Sequence, residues 1–211
     1  MESNKIYHFY HLWLGGPWIE IFHNHLNTLK DYGLMDRINM LYIGLVGNVN
    51  ERAVAKRFLN ILQIKHIIIA EADSGYEQVT QNALYEFSKD NDGYVLYAHN
   101  KGSSSPSEIN VAWRKSMTYH NIVLWQQAVS YLTMKDAVGC HWLTPESYSN
   151  VFMPYFAGTF WWTHLSLIRT LGYPDNNSRY DAEVWIGKYP NINVHDLAPG
   201  WPGYDVFTIT W

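Results

Sequence analysis

The residues best suited to chemistry follow a short apolar strand pattern near the middle of the chain. His99, Asn100, Lys101 and Gly102 stand directly after residues 94–98, which read YVLYA. Imidazole and amide groups can bind a metal ion, a lysine ammonium can neutralise a pyrophosphate, and glycine lets the backbone approach a ligand closely. The segment therefore predicts a metal or phosphate site, and the same composition also suits a solvated β-turn.

Two other polar residues are candidates for the same site. Asp73 follows the strand pattern of residues 66–70, and its carboxylate could bind a metal ion or a ribose hydroxyl, or only cap a helix. His195 precedes the rigid loop of residues 199–203, PGWPG, which could bring it back over the site as a metal or phosphate ligand. Trp201 in that loop is a candidate contact to a nucleotide sugar. The alternative for His195 is an ordinary surface or core histidine.

A cluster of small and aromatic residues in the second half could form a sugar pocket. Residues 156–162 read FAGTFWW, so small side chains stand next to large rings. Rings can stack on the apolar face of a sugar, which makes Gly158 and Trp161 candidates for binding it. Packing in the core is the alternative.

Four residues near the end of the first strand pattern could bind a nucleobase. His8, Tyr10, His11 and Trp13 combine rings for stacking with polar edges for hydrogen bonds. We therefore include all four among the candidate nucleotide-binding residues.

Two carboxylates near residue 180 are candidates for proton transfer. Asp181 and Glu183 are two residues apart, so on a helix they point to different faces and one of them could reach a reacting carbon. Asp181 also suits a helix cap, which leaves its assignment open.

The composition restricts the class of protein. The 211 residues are 47% hydrophobic, 16% aromatic and 16% charged, with a formal net charge of −4. These values are typical of one compact domain and exclude disorder, and the scattered Lys and Arg residues predict no nucleic-acid partner. The single cysteine, Cys140, favours a reducing compartment such as the cytoplasm, and we expect neither a signal peptide nor a transmembrane segment.

The candidate residues must be positioned by alternating strands and helices. The predicted strands of the first half are residues 5–13, 38–45, 66–70 and 94–98. This alternation predicts an α/β fold with a central, mostly parallel but mixed sheet flanked by helices, and ligands bind at the carboxyl ends of such strands.

Further elements are predicted around this frame. Ser74 and Glu77 form a capping-box pattern that predicts a helix starting just after Asp73, and residues 107–134 predict one long helix. The second half predicts a partly antiparallel extension with a short helix. Its elements are strands at 138–143, 155–162 and 206–211 and a helix at 163–171.

Three segments carry a family resemblance. They are YAHNKG at 97–102, AGTFWW at 157–162 and RYDAEVWIG at 179–187. Together they resemble the N-terminal domain of chlorella virus-encoded glycosyltransferases of the GT-A fold, and they are similar to segments of bacterial surface-polysaccharide glycosyltransferases. The resemblance implies one GT-A-type domain over residues 1–211, as the N-terminal part of a longer chain.

The resemblance also implies a UDP-sugar donor held by a divalent metal ion, Mn²⁺ or alternatively Mg²⁺. Where the family carries Asp-x-Asp, this sequence reads His99-Asn100-Lys101 and has no carboxylate. Either Asp73 supplies the carboxylate, or Lys101 shares the neutralisation of the leaving group. The expected metal ligands are Asp73, His99 and His195, the last matching a late histidine of related enzymes.

The function implied is transfer of a hexose or deoxyhexose, of glucose or rhamnose type, from a UDP-sugar to a glycan acceptor. Asp181 or Glu183 would act as the base in an inverting reaction, or stabilise the sugar cation in a retaining one, which we expect. We expect the protein to act in the cytoplasm, within viral capsid glycosylation. The alternatives are a sugar-binding module without catalysis and a nucleotide-sugar hydrolase.

Overall fold

The computed structural model of the chain describes residues 5–105 and 107–200. The strands are β1 (Ile6–Trp13), β2 (Ile38–Val46), β3 (His66–Ala72), β4 (Tyr94–His99), β5 (Ala137–Gly139), β6 (Trp142–Leu143), β7 (Tyr155–Phe156), β8 (Trp161–His164) and β9 (Val194–Asp196). The helices are α1 (Trp18–Asp31), α2 (Val49–Leu62), α3 (Gln78–Ser88), α4 (Glu108–Thr118), α5 (Trp125–Tyr131), α6 (Leu165–Leu171) and α7 (Tyr180–Val184). A π-helical turn, Tyr119–Val123, follows α4, and a 3₁₀ turn, Ile186–Lys188, follows α7.

Within these residues, seven strands form one sheet in the order β3-β2-β1-β4-β8-β5-β9. The first four strands are parallel, β8 is antiparallel to both β4 and β5, and β9 is parallel to β5. Strands β6 and β7 form a separate antiparallel pair. The predicted class, an α/β fold with a central, mostly parallel mixed sheet flanked by helices, is confirmed.

The sheet is covered on both faces, which explains why its first strands are so apolar. Successive side chains of a strand point to opposite faces. Tyr10 packs on Phe22 of α1, with ring centroids 4.9 Å apart, whereas Phe9 packs near Phe87 of α3 at 5.4 Å. We call these two surfaces the α1 face and the α3 face.

The predicted helix over residues 107–134 is wrong in one respect, because it is interrupted. Helix α4 ends at Thr118, the π-helical turn follows, and the chain bends at Leu124 before α5. The carbonyl oxygen of Asn121 accepts a hydrogen bond of 2.9 Å from the indole N–H of Trp162. This hydrogen bond connects a backbone carbonyl of the π-helical turn to strand β8, at the place where the regular α-helix is interrupted.

Two predicted strands of the second half are also divided. Gly158 and Thr159 both have positive φ angles, of 87° and 58°, so the segment 155–162 turns between β7 and β8, which belong to different sheets. His141, with φ of 61°, separates β5 from β6 in the same way. A residue with a positive φ angle lies outside the extended β region, so it interrupts a strand. The predicted strand at 206–211 lies outside the described residues.

Candidate functional site

A cleft of about 630 Å³ opens where β1 and β4 end at their carboxyl edges. We call it the main cleft. Several elements form its walls. They contribute His11 and Trp13 of β1, His99 at the end of β4 and residues 100–105 after it, residues 75–77 before α3, Asn110 and Trp113 of α4, Tyr155 of β7, and Arg179, Tyr180 and Glu183 around α7. This is the location at which parallel α/β sheets bind ligands.

A histidine–carboxylate pair, His99 and Glu77, lies at the base of the main cleft. His99 Nδ1 is 2.9 Å from Glu77 Oε1, and His99 Nε2 donates to the carbonyl oxygen of Gly158 at 2.9 Å. Although burial favours the neutral acid, the hydrogen bond and charge of His99 and the nearby His11 hold the pKa of Glu77 well below its usual range. Both ring nitrogens of His99 therefore face oxygen atoms of neighbouring residues.

Glu77 is a site residue that sequence reasoning assigned to helix capping. The predicted capping box with Ser74 is not formed, because α3 begins at Gln78, later than expected, and its N-terminus has no side-chain cap. The carboxylate of Glu77 instead contacts His99 across the strand end. Only the fold brings these two residues together.

His11 extends this polar cluster through a hydrogen bond to helix α3. Its Nδ1 lies 2.9 Å from the hydroxyl of Thr80 on α3. Burial lowers the pKa of His11 to about 4, against the attraction of Glu77 and together with the repulsion of His99. His11 is therefore a neutral hydrogen-bonding group in the wall of the main cleft.

Lys101 places a positive charge beside the rings of the main cleft. Its Nζ lies 3.9 Å from the centroid of the Trp113 ring, a cation–π contact. Burial lowers the pKa of Lys101, while the carboxylates of Glu183 and Glu77 favour its charged form and Arg179 opposes it. A largely desolvated ammonium of this kind attracts an anion more strongly than an exposed lysine does.

Helix α7 brings Glu183 and Arg179 to the opposite wall. The two side chains are 3.6 Å apart at their closest polar atoms, and Glu183 is the less exposed of them. The helix is attached to α3 by two buried amides, because Gln78 donates to the Ser178 carbonyl at 2.6 Å and Gln81 donates to the Ala182 carbonyl at 2.9 Å. These glutamines fix the position of the main-cleft side chains of α7.

The two carboxylates predicted for catalysis have different placements. Glu183 lines the main cleft, whereas Asp181 is not among its lining residues. Asp181 Oδ2 accepts hydrogen bonds from the backbone N–H groups of Asn177, at 2.8 Å, and Ser178, at 2.7 Å. Asp181 therefore stabilises the turn before α7, and the prediction that it acts on substrate is corrected to this local role.

Asn100 lines the main cleft, but its amide is engaged by the backbone. Its Oδ1 accepts from the Trp13 N–H at 3.0 Å, and its Nδ2 donates to the Trp13 carbonyl at 2.7 Å. The side chain thus extends the pairing of β1 and β4 by one residue. This occupation corrects the view of Asn100 as a free ligand, while Trp13 itself remains at the rim of the main cleft.

His8 and Tyr10 lie on the α1 face, away from the main cleft. His8 Nδ1 donates to the Leu96 carbonyl at 3.0 Å, and its Nε2 lies 2.7 Å from His25 Nε2. Both side chains of β1 are buried in the core. The predicted nucleobase set of His8, Tyr10, His11 and Trp13 is therefore wrong as a unit, because alternate strand residues face opposite sides.

The predicted sugar pocket around residue 158 is a core. Trp161 is 1% exposed and stacks on Tyr97 with ring centroids 4.9 Å apart. Gly158 contributes its carbonyl oxygen to His99, and a side chain at this position would overlap Met117. Neither residue lines the main cleft, so the prediction of direct sugar contacts is corrected. Trp161 packs in the core, and Gly158 supports His99 through its carbonyl oxygen.

The three residues expected to bind a metal ion are not brought together. Asp73 follows edge strand β3 and pairs with Arg52 at 2.6 Å, whereas His195 lies on the opposite edge strand, β9, stacked on Tyr131. Six strand spacings separate these edges, roughly 29 Å in a sheet. Over residues 5–105 and 107–200, no group of three His, Cys, Asp or Glu side chains fits a metal ion. Trp201 lies outside the described residues.

Several residues of the main cleft were not predicted from sequence. Arg179, Tyr180, Trp113, Tyr155 and Tyr76 all line it. Arg179 and Tyr180 belong to the segment at 179–187 that carries the family resemblance, and that resemblance could have pointed to them. The others come from elements far apart in the chain.

The fold and the main cleft define an α/β protein with a polar, ring-lined site at the carboxyl edge of its parallel strands. The chain belongs to a family described as a domain of unknown function (DUF8361), whose model matches residues 9–178. No curated protein matches the sequence.

Solved structures share the fold. The crystal structure of 4-diphosphocytidyl-2C-methyl-D-erythritol synthase from Anaerococcus prevotii DSM 20548 is similar with a TM-score of 0.55 and 10% sequence identity, over 97% of this chain and 96% of that chain. At this identity the likeness concerns the fold. In the part of the chain that the structure describes, no helix has both the length and the apolar character needed to cross a membrane.

Proposed function

We propose that the protein is a glycosyltransferase that takes a hexose or deoxyhexose from a UDP-sugar and passes it to a glycan acceptor. The observation that carries the proposal is the meeting of Lys101, Arg179 and Glu183 in one ring-lined cleft at the carboxyl ends of β1 and β4. Two cations match a diphosphate, and a carboxylate matches the reacting sugar carbon or the acceptor hydroxyl.

The donor would lie across the main cleft with its diphosphate at Lys101 and Arg179. Lys101 is the stronger attraction, because it is largely buried and its charge is weakly screened. The exposed rings of Trp13 and Tyr76 suit the flat face of uracil, and Tyr155 and Tyr180 suit the sugar. The solved structure with the same fold is named for a diphosphocytidyl compound, a precedent for a nucleotide-linked substrate.

The reaction breaks the bond between the anomeric carbon and the β-phosphate oxygen, and the electron pair leaves with UDP. Lys101 and Arg179 stabilise the negative charge that develops on that oxygen. The acceptor oxygen then bonds to the anomeric carbon and loses its proton. In the retaining course that we propose, Glu183 stabilises the cationic sugar, and the proton passes to the departing phosphate; in an inverting course, Glu183 takes the proton itself.

A divalent ion, Mn²⁺ or Mg²⁺, is implied by the family resemblance. Asp73, His99 and His195 do not fit such an ion, because they lie in different parts of the fold and each has its own partner. We therefore derive the stabilisation of the leaving group from Lys101 and Arg179. The proposed place of action, as the resemblance implies, is the cytoplasm, on a glycan of a viral capsid.

Calorimetric titration with UDP and UDP-sugars, with and without Mn²⁺, tests the proposal. We expect the wild type to bind UDP, and Lys101→Gln to bind it roughly tenfold or more weakly, because a charge-assisted contact is lost. Glu183→Gln should still bind the donor but lose roughly 100-fold or more in transfer rate. Arg57→Gln, a change at an exposed arginine of α2, is the matched control.

The same samples separate the alternatives. A chain that binds free sugars but not UDP in any condition is a sugar-binding module, and the transferase proposal is then wrong. A chain that releases free sugar from UDP-sugars at a rate that no acceptor increases is a hydrolase. Proton NMR of the anomeric proton in the product shows whether the configuration of the donor sugar is retained or inverted.

A further inference from the structure

A second cavity, of about 280 Å³, lies on the α1 face and takes no part in the proposed transfer. Helices α1 and α4 supply most of its lining, and β1 supplies Tyr10 at its base. The residues that matter for binding are Asn24, Asn27, Thr28, Arg114, Lys115 and Phe160. The cavity thus combines two cations, amide and hydroxyl groups, and an aromatic wall.

The second cavity is lined by positive charge. Its described lining contains the cations Arg114 and Lys115 and no Asp or Glu side chain. Burial lowers the pKa of Arg114, opposed by Tyr10 and by Glu20, yet a guanidinium keeps its proton in proteins. Among residues 5–105 and 107–200, Arg114 forms no ion pair. A partly buried positive charge without a counter-ion favours an incoming anion.

Arg114 also has hydrogen-bonding capacity to spare. Its Nη1 donates to the Lys101 carbonyl at 2.7 Å, the one hydrogen bond of its guanidinium within the described chain. A guanidinium carries five N–H donors in a planar fork, which matches the two oxygens of a phosphate or a carboxylate. Lys115, the next residue, adds a second charge at the same cavity.

We propose that the second cavity binds a small oxyanion, a phosphate or a carboxylate, between Arg114 and Lys115. The amides of Asn24 and Asn27 supply further donors, and Phe160 covers the organic part of the ligand. The formal net charge of the chain is −4, so the protein as a whole repels anions and any binding reports a local site.

The second cavity is also coupled to the main cleft. Arg114 holds the backbone of Lys101, and the side chain of His99 lines both cavities. An anion that draws the guanidinium away changes the position of the loop that carries Lys101. This coupling rests on the proposed function, whereas the anion site itself does not.

Calorimetric titration of the full chain with inorganic phosphate, and separately with acetate, tests the site. We expect saturable binding of one ion per chain, weakened roughly tenfold or more in Arg114→Gln and in Lys115→Gln and unchanged in Arg57→Gln. The tighter of the two probes identifies the class of anion. Circular dichroism of each variant verifies that it is folded.

The main cleft also contains cations, so Lys101→Gln and Arg179→Gln are the decisive comparisons. Binding that survives both of these changes and fails in Arg114→Gln and Lys115→Gln supports the second cavity. The proposal is overturned by the reverse pattern, by an equal loss of binding in Arg57→Gln, or by a wild type that shows no saturable binding. UDP titration with and without the bound anion then tests the coupling. A chain that binds phosphate at Arg114 but never binds UDP refutes the proposed function and leaves the anion site standing.

Discussion

Two buried histidines, one on the α1 face and one at the main cleft, have partners of different chemistry. On the α1 face, His8 and His25 contact each other through their Nε2 atoms at 2.7 Å. At the main cleft, His99 contacts the carboxylate of Glu77 at 2.9 Å. The residue type is the same, but the partner is a second imidazole in one case and a carboxylate in the other.

The physical difference is the presence of a counter-charge. Burial lowers the pKa of His8 to about 4 and that of His25 well below its usual value, with His8 adding to the effect on His25. Since His8 Nδ1 donates to the Leu96 carbonyl, its Nε2 accepts from His25 Nε2, and both rings are neutral. A neutral pair suits a dry core, and an ion pair suits a wall that faces a ligand.

Removal of the counter-charge should give the largest effect among the substitutions compared at pH 7. Glu77→Gln keeps the size of the side chain but leaves His99 without its carboxylate. We expect the free energy of unfolding to fall by about 3 kcal/mol, the lower end for a broken buried ion pair, because Glu77 is 18% exposed. Urea denaturation at pH 7 measures this change.

His25→Phe is the matched change on the α1 face. It leaves His8 Nε2 without a donor and should cost about 1–2 kcal/mol. A larger loss in His25→Phe than in Glu77→Gln would contradict the contrast between the two faces.

The pH dependence of stability should separate the same two pairs. The folded pKa of His8 is lowered from 6.5 to about 4, so its contribution is complete above pH 6.5 and is lost as the pH falls towards 4, by about 3 kcal/mol. The lowered pKa of Glu77 acts in a more acid window, where stability is present above pH 4.5 and lost below it.

Urea denaturation of wild type and His8→Leu between pH 7.5 and pH 4.5 measures the first window. The variant should show a flatter profile there, because it has one fewer buried imidazole to protonate. An unchanged profile would mean that His8 does not control acid stability.

The attachment of α7 should give an intermediate effect, on the main-cleft side. Gln81→Met removes the amide that donates to the Ala182 carbonyl and should lower stability by about 1–2 kcal/mol. We expect donor affinity to fall several-fold as well, because Glu183 and Arg179 lose their support. Gln126→Met, at an exposed glutamine of α5, is the control for calorimetry and denaturation.

The smallest effect is expected far from both histidine pairs. Asp73→Ala breaks an ion pair with Arg52 in which Asp73 is 80% exposed, and such pairs contribute roughly 0–1 kcal/mol. Denaturation should detect little change, and UDP affinity with Mn²⁺ should equal that of the wild type. A loss of Mn²⁺-dependent binding would return Asp73 to the list of metal ligands.

The existence of the first four strands and the location of the main cleft at their carboxyl ends could be predicted from the sequence. Runs such as residues 66–70 and 94–98 are apolar because both faces of the sheet are covered, so local composition is sufficient. The division of His8 from His11 was also predictable, because strand side chains alternate. Positive φ angles at His141 and Thr159 were not, since neither residue type requires them.

By itself, the sequence determined the α/β class, the strand predicted at residues 94–98 and the polar loop that follows, because these depend on hydrophobic periodicity over a few residues. The tertiary structure decided which polar groups meet. Glu77 and His99 are 22 positions apart and Lys101 and Glu183 are 82 apart, and local patterns carry no information about such distances. Their pairing depends on how α3 and α7 pack on the sheet, because that packing determines which side chains are close enough to interact.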